Sequence, residues 1–211
     1  QLVMAVGLKV CGVTRADDLS LCQALGVEAV GLNLWPGSSR GLRLDEARRL
    51  VRAVPRAGGT LRVGVFVDAT PDQVARAHAE LQLDAVQLHG DGEPEPYAAL
   101  GLPWIWVIRG TPSLETLRVP RPMPLWVLLD AHVQGYGGQG HRTDWTWAAE
   151  VVRALGSVPV WLAGGITPGN AAEAIAGVAP AGIDVATGSE SAVGVKDRGK
   201  IEALLRACGR G

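Results

Sequence analysis

This chain has little of what marks the specialised classes of protein. Its 211 residues include three cysteines, one phenylalanine, two tyrosines and two methionines. Cys11, Cys22 and Cys208 are odd in number, scattered, and never paired as C-x-x-C, which excludes a disulfide framework and a zinc knuckle. A reducing cytoplasm is the simplest compartment for such usage. Neither sign of charge dominates: 20 Lys and Arg stand against 21 Asp and Glu, for a formal net charge of -1. No basic surplus calls for nucleic acid, and no charge block reads as an interaction tail. No uninterrupted apolar run approaches the roughly 20 residues that span a bilayer, so no membrane association is expected. A charged segment followed by an apolar one, the mark of a secretory signal, is lacking too. The chain opens on Gln1, which makes Met4 the candidate start.

What is plentiful is small and apolar: 28 glycines, and 47% hydrophobic residues overall. The basic residues are nearly all Arg. The length suits one globular domain over residues 1–211. One pattern repeats through it: a short β-rich run, a Gly-containing loop, then an amphipathic helical segment. The runs are "LKVCGV", "AVGLNL", "LRVGVFV", "DAVQLHG", "PWIWVIR", "LWVLLDA", "VPVWLAG" and "GIDVAT". Most are near-continuously apolar, as parallel strands buried on both faces are. Between them, "RLDEARRLVRAV" sets Leu44, Ala47, Leu50, Val51 and Val54 on one helical face, and "KIEALLRAC" does the same with Ile201, Leu204, Leu205 and Cys208. In "DATPDQV" and "GITPGNA" a Thr can cap a helix whose first residue is Pro. After the fifth run, Pro120, Pro122 and Pro124 leave room for only a short helix. About eight β–α units in a chain of this length predict an α/β fold of the (β/α)8 TIM-barrel type. An open doubly wound sheet is the alternative. The even beat, with no linker, favours the closed barrel.

A barrel gathers its chemistry where strands end and βα loops begin. The polar residues at those points are Cys11, Asn33, Arg40 in the following loop, Asp68, Gln87 with His89, Arg109, Asp130, the Gly164–Gly165 pair, and Asp184 with "TGSE" at 187–190. "LAGGITPGN" and "IDVATGSE" close the seventh and eighth units with small-residue turns. Backbone N–H groups at such turns bind phosphate, and in barrels that site is frequently built after strands 7 and 8. The bland alternative is that Gly164 and Gly165 only make a tight turn. "GYGGQG" at 135–140 matches a dinucleotide fingerprint formally, but it starts too far beyond its strand and no acidic residue ends the next strand. A Gly-rich lid is the better reading.

Cys11 and Asp130 are the candidate base and acid. Asp130 ends the apolar run "LWVLLD", where desolvation would raise its pKa and keep it usable as an acid. Cys11 needs a lowered pKa, or help from the substrate, to act as a base. A strand cysteine can equally be core, and a strand-end aspartate a helix cap. Cys22 and Cys208 lie on apolar helical faces and read as core. His78 reads as a helix-surface residue, and His132 and His141 as loop residues. Gly12, lacking a side chain, would leave room for substrate above the thiol.

"KVCGVTR", "VGLNLWPGSSR", "VQLHG", "LLDA…GGQGHRTDW", "LAGGITPGN" and "IDVATGSES…GVKDRGKI" together resemble the phosphoribosylanthranilate isomerase family of tryptophan biosynthesis, in order from Lys9 to Ile201. The resemblance implies a (β/α)8 enzyme that converts N-(5'-phosphoribosyl)anthranilate to 1-(2-carboxyphenylamino)-1-deoxyribulose 5-phosphate by an Amadori rearrangement. It implies Asp130 as general acid and Cys11 as general base. Gly164, Gly165 and Gly188 would hold the phosphate through backbone N–H groups, with a hydroxyl contact from Thr187 or Ser189. Arg40 would meet the anthranilate carboxylate, Asp184 the sugar hydroxyls, and His89 would face the site. It implies a small-molecule substrate, no cofactor, no metal, and a monomer or homodimer. Gly41, Arg43, "GGQG" and "ATGSE" depart from the family pattern, and Arg43 competes with Arg40 for the carboxylate. A histidine-pathway aminosugar isomerase would carry a carboxylate where this chain has Cys11. A barrel that only binds an anion would not need Cys11 and Asp130 together.

Overall fold

The eight apolar runs form eight strands, and the strands close on themselves. In the computed structural model, which describes residues 5–90, 93–130 and 144–210, these are β1 (Gly7–Cys11), β2 (Ala29–Asn33), β3 (Leu61–Val67), β4 (Ala85–His89), β5 (Trp104–Arg109), β6 (Trp126–Asp130), β7 (Val160–Leu162) and β8 (Gly182–Val185). Each pairs in parallel with the next, and β8 pairs with β1, so the sheet is a closed barrel in chain order. The doubly wound alternative is thereby excluded. Helices α1 (Ala16–Leu25), α2 (Leu44–Ala53), α3 (Pro71–Leu81), α4 (Glu95–Ala98), α5 (Trp145–Leu155), α6 (Ala171–Val178) and α7 (Arg198–Ala207) alternate with the strands. None of these helices is long and apolar enough to cross a membrane. The proline-rich segment after β5 keeps only a 3-10 turn, Leu114–Thr116.

Local chemistry accounts for the helix starts. Thr70 caps α3 before Pro71 as expected, and Gln73 completes a capping box with it: the Gln73 N–H donates to Thr70 Oγ1 at 3.2 Å, and the Thr70 N–H donates to Gln73 Oε1 at 2.8 Å. The second predicted start shifts. Helix α6 begins at Ala171 with Asn170 as its N-cap residue, and Thr167–Asn170 forms a preceding turn. Asn170 Oδ1 accepts from the Thr167 N–H at 2.8 Å, so the side chain that organises this turn is Asn170 rather than Thr167. One element escaped the sequence pattern altogether. A short antiparallel hairpin, β9 (Glu190–Ala192) and β10 (Val195–Lys196), lies between β8 and α7.

Strand alternation separates two cores. Outward residues such as Leu8, Val10, Leu32 and Leu162 pack with the helices, where Ile201, Leu204, Leu205 and Cys208 also lie. Inward residues Ala29, Val63, Ala85, Ile105, Trp126, Leu128 and Trp161 fill the barrel. Trp126 and Trp161 stack with centroids 4.6 Å apart. Trp161 fits because Gly182 carries no side chain: a Cβ there would come within 2.3 Å of its ring. This apolar floor closes the barrel from below. The polar inward residues lie above it.

Candidate active site

The inward positions of β1 carry the site from the floor to the mouth. Lys9 follows Gly7 and precedes Cys11, two residues apart each time, so all three face the barrel axis. Lys9 is fully buried and its Nζ lies 2.8 Å from Asp184 Oδ2, on the neighbouring strand and in register with it. Asp184 Oδ1 is buried with no hydrogen-bond partner among the described residues. Cys11, one step up, is partly exposed. Burial pushes its thiol above the ordinary range, and the charges of Lys9 and Lys196 offset this only in part, so the lowered thiol that the sequence reading called for is not set by the protein alone. Cys22 and Cys208 are core residues as expected, with thiols pushed by burial up to about 12 and about 11.

Arg40 is not free. Its Nε and Nη2 each donate at 2.7 Å to Glu190, one to each carboxylate oxygen, and Nη2 reaches Thr187 Oγ1 at 3.3 Å. Its stem also fills the space above Gly12, whose φ is +76° and whose added Cβ would lie 2.5 Å from Arg40 Cδ. Gly12 therefore makes room for Arg40, where the sequence suggested room for substrate. Glu190 has a second cation: Lys196 Nζ donates to its Oε1 at 2.9 Å and to the Cys11 carbonyl at 2.6 Å. Burial alone would raise the Glu190 carboxyl, but Arg40 and Lys196 overcome it and hold it below the usual carboxylate range. Arg43, by contrast, is exposed, pairs with Asp45 and Glu46, and stands at the N-cap position of α2, where its backbone N–H donates to Glu46 Oε2 at 2.8 Å.

Asp130 ends β6, three strands round the ring from β1. Its strand is buried through Leu129, but its own side chain is 35% exposed at the mouth. The apolar surroundings expected from "LWVLLD" thus stop one residue short of it. His89 Nε2 lies 3.3 Å from Asp130 Oδ2, and Gln87 Nε2 lies 3.2 Å from His89 Nδ1. An amide nitrogen can only donate, so in this arrangement Nδ1 accepts and Nε2 carries the proton that Asp130 receives as a hydrogen bond. Asn33 helps hold the β2 loop: its Oδ1 accepts from the Trp35 N–H at 2.9 Å. Asp68 is exposed and close to Gly90.

The two glycine loops meet as the sequence suggested. Gly164 and Gly165 have φ of +90° and +67°, values that L side chains rarely adopt. Asn170 Nδ2 donates to the Gly165 carbonyl at 2.9 Å and fixes the turn. Gly188 lies so close that an added Cβ would be 2.1 Å from the Ile166 carbonyl oxygen. Ser189 is buried and its hydroxyl donates to the Ala186 carbonyl at 2.6 Å, whereas Thr187 is exposed. His132, His141 and the 135–140 glycine segment lie outside the described residues, as do Gln1 and Met4.

Two charged groups of the site, Lys9 and Lys196, escaped sequence reasoning, and Glu190 entered it only as the last residue of "TGSE". Lys9 carried a usable signal, since a lysine inside a strand buried on both faces needs a partner. Lys196 carried none, and nothing marked Glu190 as the partner of two cations, because the hairpin that brings them in has too few residues to show a period.

The family model for N-(5'-phosphoribosyl)anthranilate (PRA) isomerase matches residues 8–207. An N-(5'-phosphoribosyl)anthranilate isomerase of Myxococcus xanthus is 42% identical over 208 residues, covering 97% of this chain and 96% of that one. The crystal structure of phosphoribosyl anthranilate isomerase from Thermus thermophilus superimposes with a TM-score of 0.83 at 35% identity, covering 97% and 98% of the two chains. A phosphoribosyl anthranilate isomerase solved in complex with reduced 1-(o-carboxyphenylamino)-1-deoxyribulose 5-phosphate gives a TM-score of 0.79 at 28% identity, with the same coverage.

Proposed function

The chain belongs to the N-(5'-phosphoribosyl)anthranilate isomerase family of tryptophan biosynthesis, and from that premise we propose that it performs the Amadori rearrangement with Asp130 as acid and Cys11 as base. The small-molecule substrate carries a phosphate at one end and an anthranilate carboxylate at the other. The backbone N–H groups of Gly164, Gly165 and Gly188 take the phosphate, in the loops that Asn170 and the Gly188–Ile166 approach lock together. Thr187 adds its hydroxyl: the oxygen accepts from Arg40 and its own proton remains for a phosphate oxygen. Ser189 is already engaged. Asp184 Oδ1, buried and without a partner among the described residues, accepts from a sugar hydroxyl. Arg40 meets the anthranilate carboxylate through Nη1, the terminal nitrogen that Glu190 does not engage and that otherwise donates only a long 3.4 Å bond to Ser39 Oγ.

Chemistry starts at the furanose ring. Asp130 gives a proton to the ring oxygen, the bond from that oxygen to C1' breaks, and the anilino nitrogen supplies the electrons for an iminium. His89 orients the carboxyl through its 3.3 Å contact. The iminium acidifies the C2' proton, which Cys11 removes. The C–H electrons form the C1'–C2' double bond of an enolamine and the iminium electrons return to nitrogen. Proton return to C1' and loss of the C2' hydroxyl proton give the ketone. No redox partner is called for, because the reaction is an isomerisation.

The observation that carries this reading is the convergence of Cys11, Asp130 and both glycine loops at one end of the barrel. The test is direct. Adding the protein to freshly prepared substrate should abolish anthranilate-type fluorescence faster than the spontaneous decay. A rate equal to background defeats the assignment. In cells, the gene should rescue a tryptophan auxotroph blocked at this step, and the Cys11→Ala version should not.

A further inference from the structure

A buried ammonium is costly unless compensated, by several kcal/mol in typical proteins. Lys9 has no exposed surface, and its ion pair with Asp184 satisfies only one side of it. The other side meets Cys11. Both atoms converge on the space beside Gly31, the residue in register with Cys11 on β2: a Cβ there would lie 2.6 Å from Cys11 Sγ and 3.2 Å from Lys9 Nζ. Any larger residue at 31 would separate thiol from ammonium or expel one of them.

We propose that Lys9 is a positioning residue for this reaction, a fixed buried charge that holds the thiolate form of Cys11, with Gly31 as the residue whose missing side chain lets the two meet. The inference rests on Cys11 being the base.

The surroundings of the thiol fit. Around it stand Lys9 on β1, Asp184 on β8, Lys196 on β10, and Arg40 in the loop after β2. Glu190 on β9 pairs with both Arg40 and Lys196. Three cations thus face two carboxylates, and a thiolate at Cys11 balances the set. Burial is the largest influence on the thiol and leaves it above its ordinary value; Lys9 is the largest influence against burial, so without Lys9 the thiol would stand higher still. Lys9 itself keeps its proton. Burial would lower it, but Asp184 and Cys11 together raise it above the ordinary lysine value. It therefore serves as a charge and does not accept the substrate's proton. The iminium of the ring-opened substrate adds a second positive charge beside the thiol at the moment the proton leaves.

The experiment is the pH dependence of Cys11 alkylation by iodoacetamide in the full-length folded protein. Cys22 and Cys208 are buried, and a Cys11→Ala control measures what they contribute. Lys9→Met keeps the length of the side chain and removes its charge. It should move the alkylation midpoint upward by about 1–3 units, the range for loss of an adjacent opposite charge. Its kcat should fall at neutral pH and recover at higher pH, with KM little changed, and Lys9→Arg should restore part of the loss. Gly31→Ala should also raise the midpoint. If Lys9→Met leaves Asp184 unpaired and fails to fold, Lys9→Met/Asp184→Asn removes both charges. Lys9 outweighs Asp184 at the thiol, so this double variant should still titrate above wild type. A midpoint unchanged or lowered in the folded variant overturns the proposal. Failure of the base assignment looks different: Cys11→Ala would retain kcat, whatever the alkylation midpoint of Lys9→Met.

Discussion

Arg40 and Glu190 form a two-point ion pair, Nε to Oε1 and Nη2 to Oε2, each at 2.7 Å, with the carboxylate side chain 3% exposed. The pair joins the loop after β2 to the hairpin after β8, 150 residues away. It determines which face of the guanidinium remains for a ligand, and it sets Arg40 apart from its sequence neighbour Arg43, whose contacts stay on its own helix.

Arg40→Ala should therefore raise KM for the substrate by about tenfold or more, the scale of one lost charge-assisted contact. Arg43→Ala should leave KM nearly unchanged and weaken only the start of α2. Steady-state kinetics on both variants decide it, and the reverse order would move the carboxylate contact to Arg43.

Glu190 makes stability depend on pH in a defined direction. Its folded carboxyl is held below its ordinary value, so its contribution is fully present above the unfolded carboxylate pKa of about 4.3 and is lost as pH falls through the lowered folded value. Urea unfolding of wild type and Glu190→Gln from neutral to acid pH should show a gap in midpoint that narrows below the ordinary carboxylate range. A gap independent of pH would contradict this linkage.

Cys11→Ala and Asp130→Ala should each reduce kcat by roughly 10²–10⁴, the range for losing one general acid or base. Calorimetric titration with the reduced product analogue should show affinity within a few-fold of wild type for both. Near-native kcat in either variant would mean that the proton in question is carried by another group.

Gly188→Ala places a methyl group 2.1 Å from the Ile166 carbonyl, against backbone that cannot yield without moving the other glycine loop. Overpacking of this kind costs about 1–3 kcal/mol. KM should rise, and competitive inhibition by inorganic phosphate should weaken in step. Unaltered phosphate inhibition would show that the anion binds elsewhere.

His89 contacts Asp130, the proposed acid. His89→Asn should lower kcat more than it raises KM, because the 3.3 Å contact orients Asp130 without touching the phosphate loops. The kcat–pH profile of the variant is the readout, and an unchanged profile with unchanged kcat would remove His89 from the acid's support.

The amino-acid sequence alone determined the barrel. Eight apolar runs with small-residue turns at even spacing are strands buried on both faces, and "DATPDQV" encodes its own helix start through contacts three residues apart. It also determined which polar residues line the upper barrel: Cys11, His89 and Asp130 near the mouth, and Asp184 buried beneath, are legible as polar residues ending or interrupting apolar runs. Such features are local, and local chemistry is written in order along the chain. Ring closure decided the rest. Lys9 meets Asp184 across 175 residues, Lys196 meets the Cys11 carbonyl across 185, and Glu190 reaches back to Arg40 across 150. Whether a charge is buried, paired or open to a ligand depends on which strand lies beside it, and β1 acquires β8 as a neighbour only when the sheet closes.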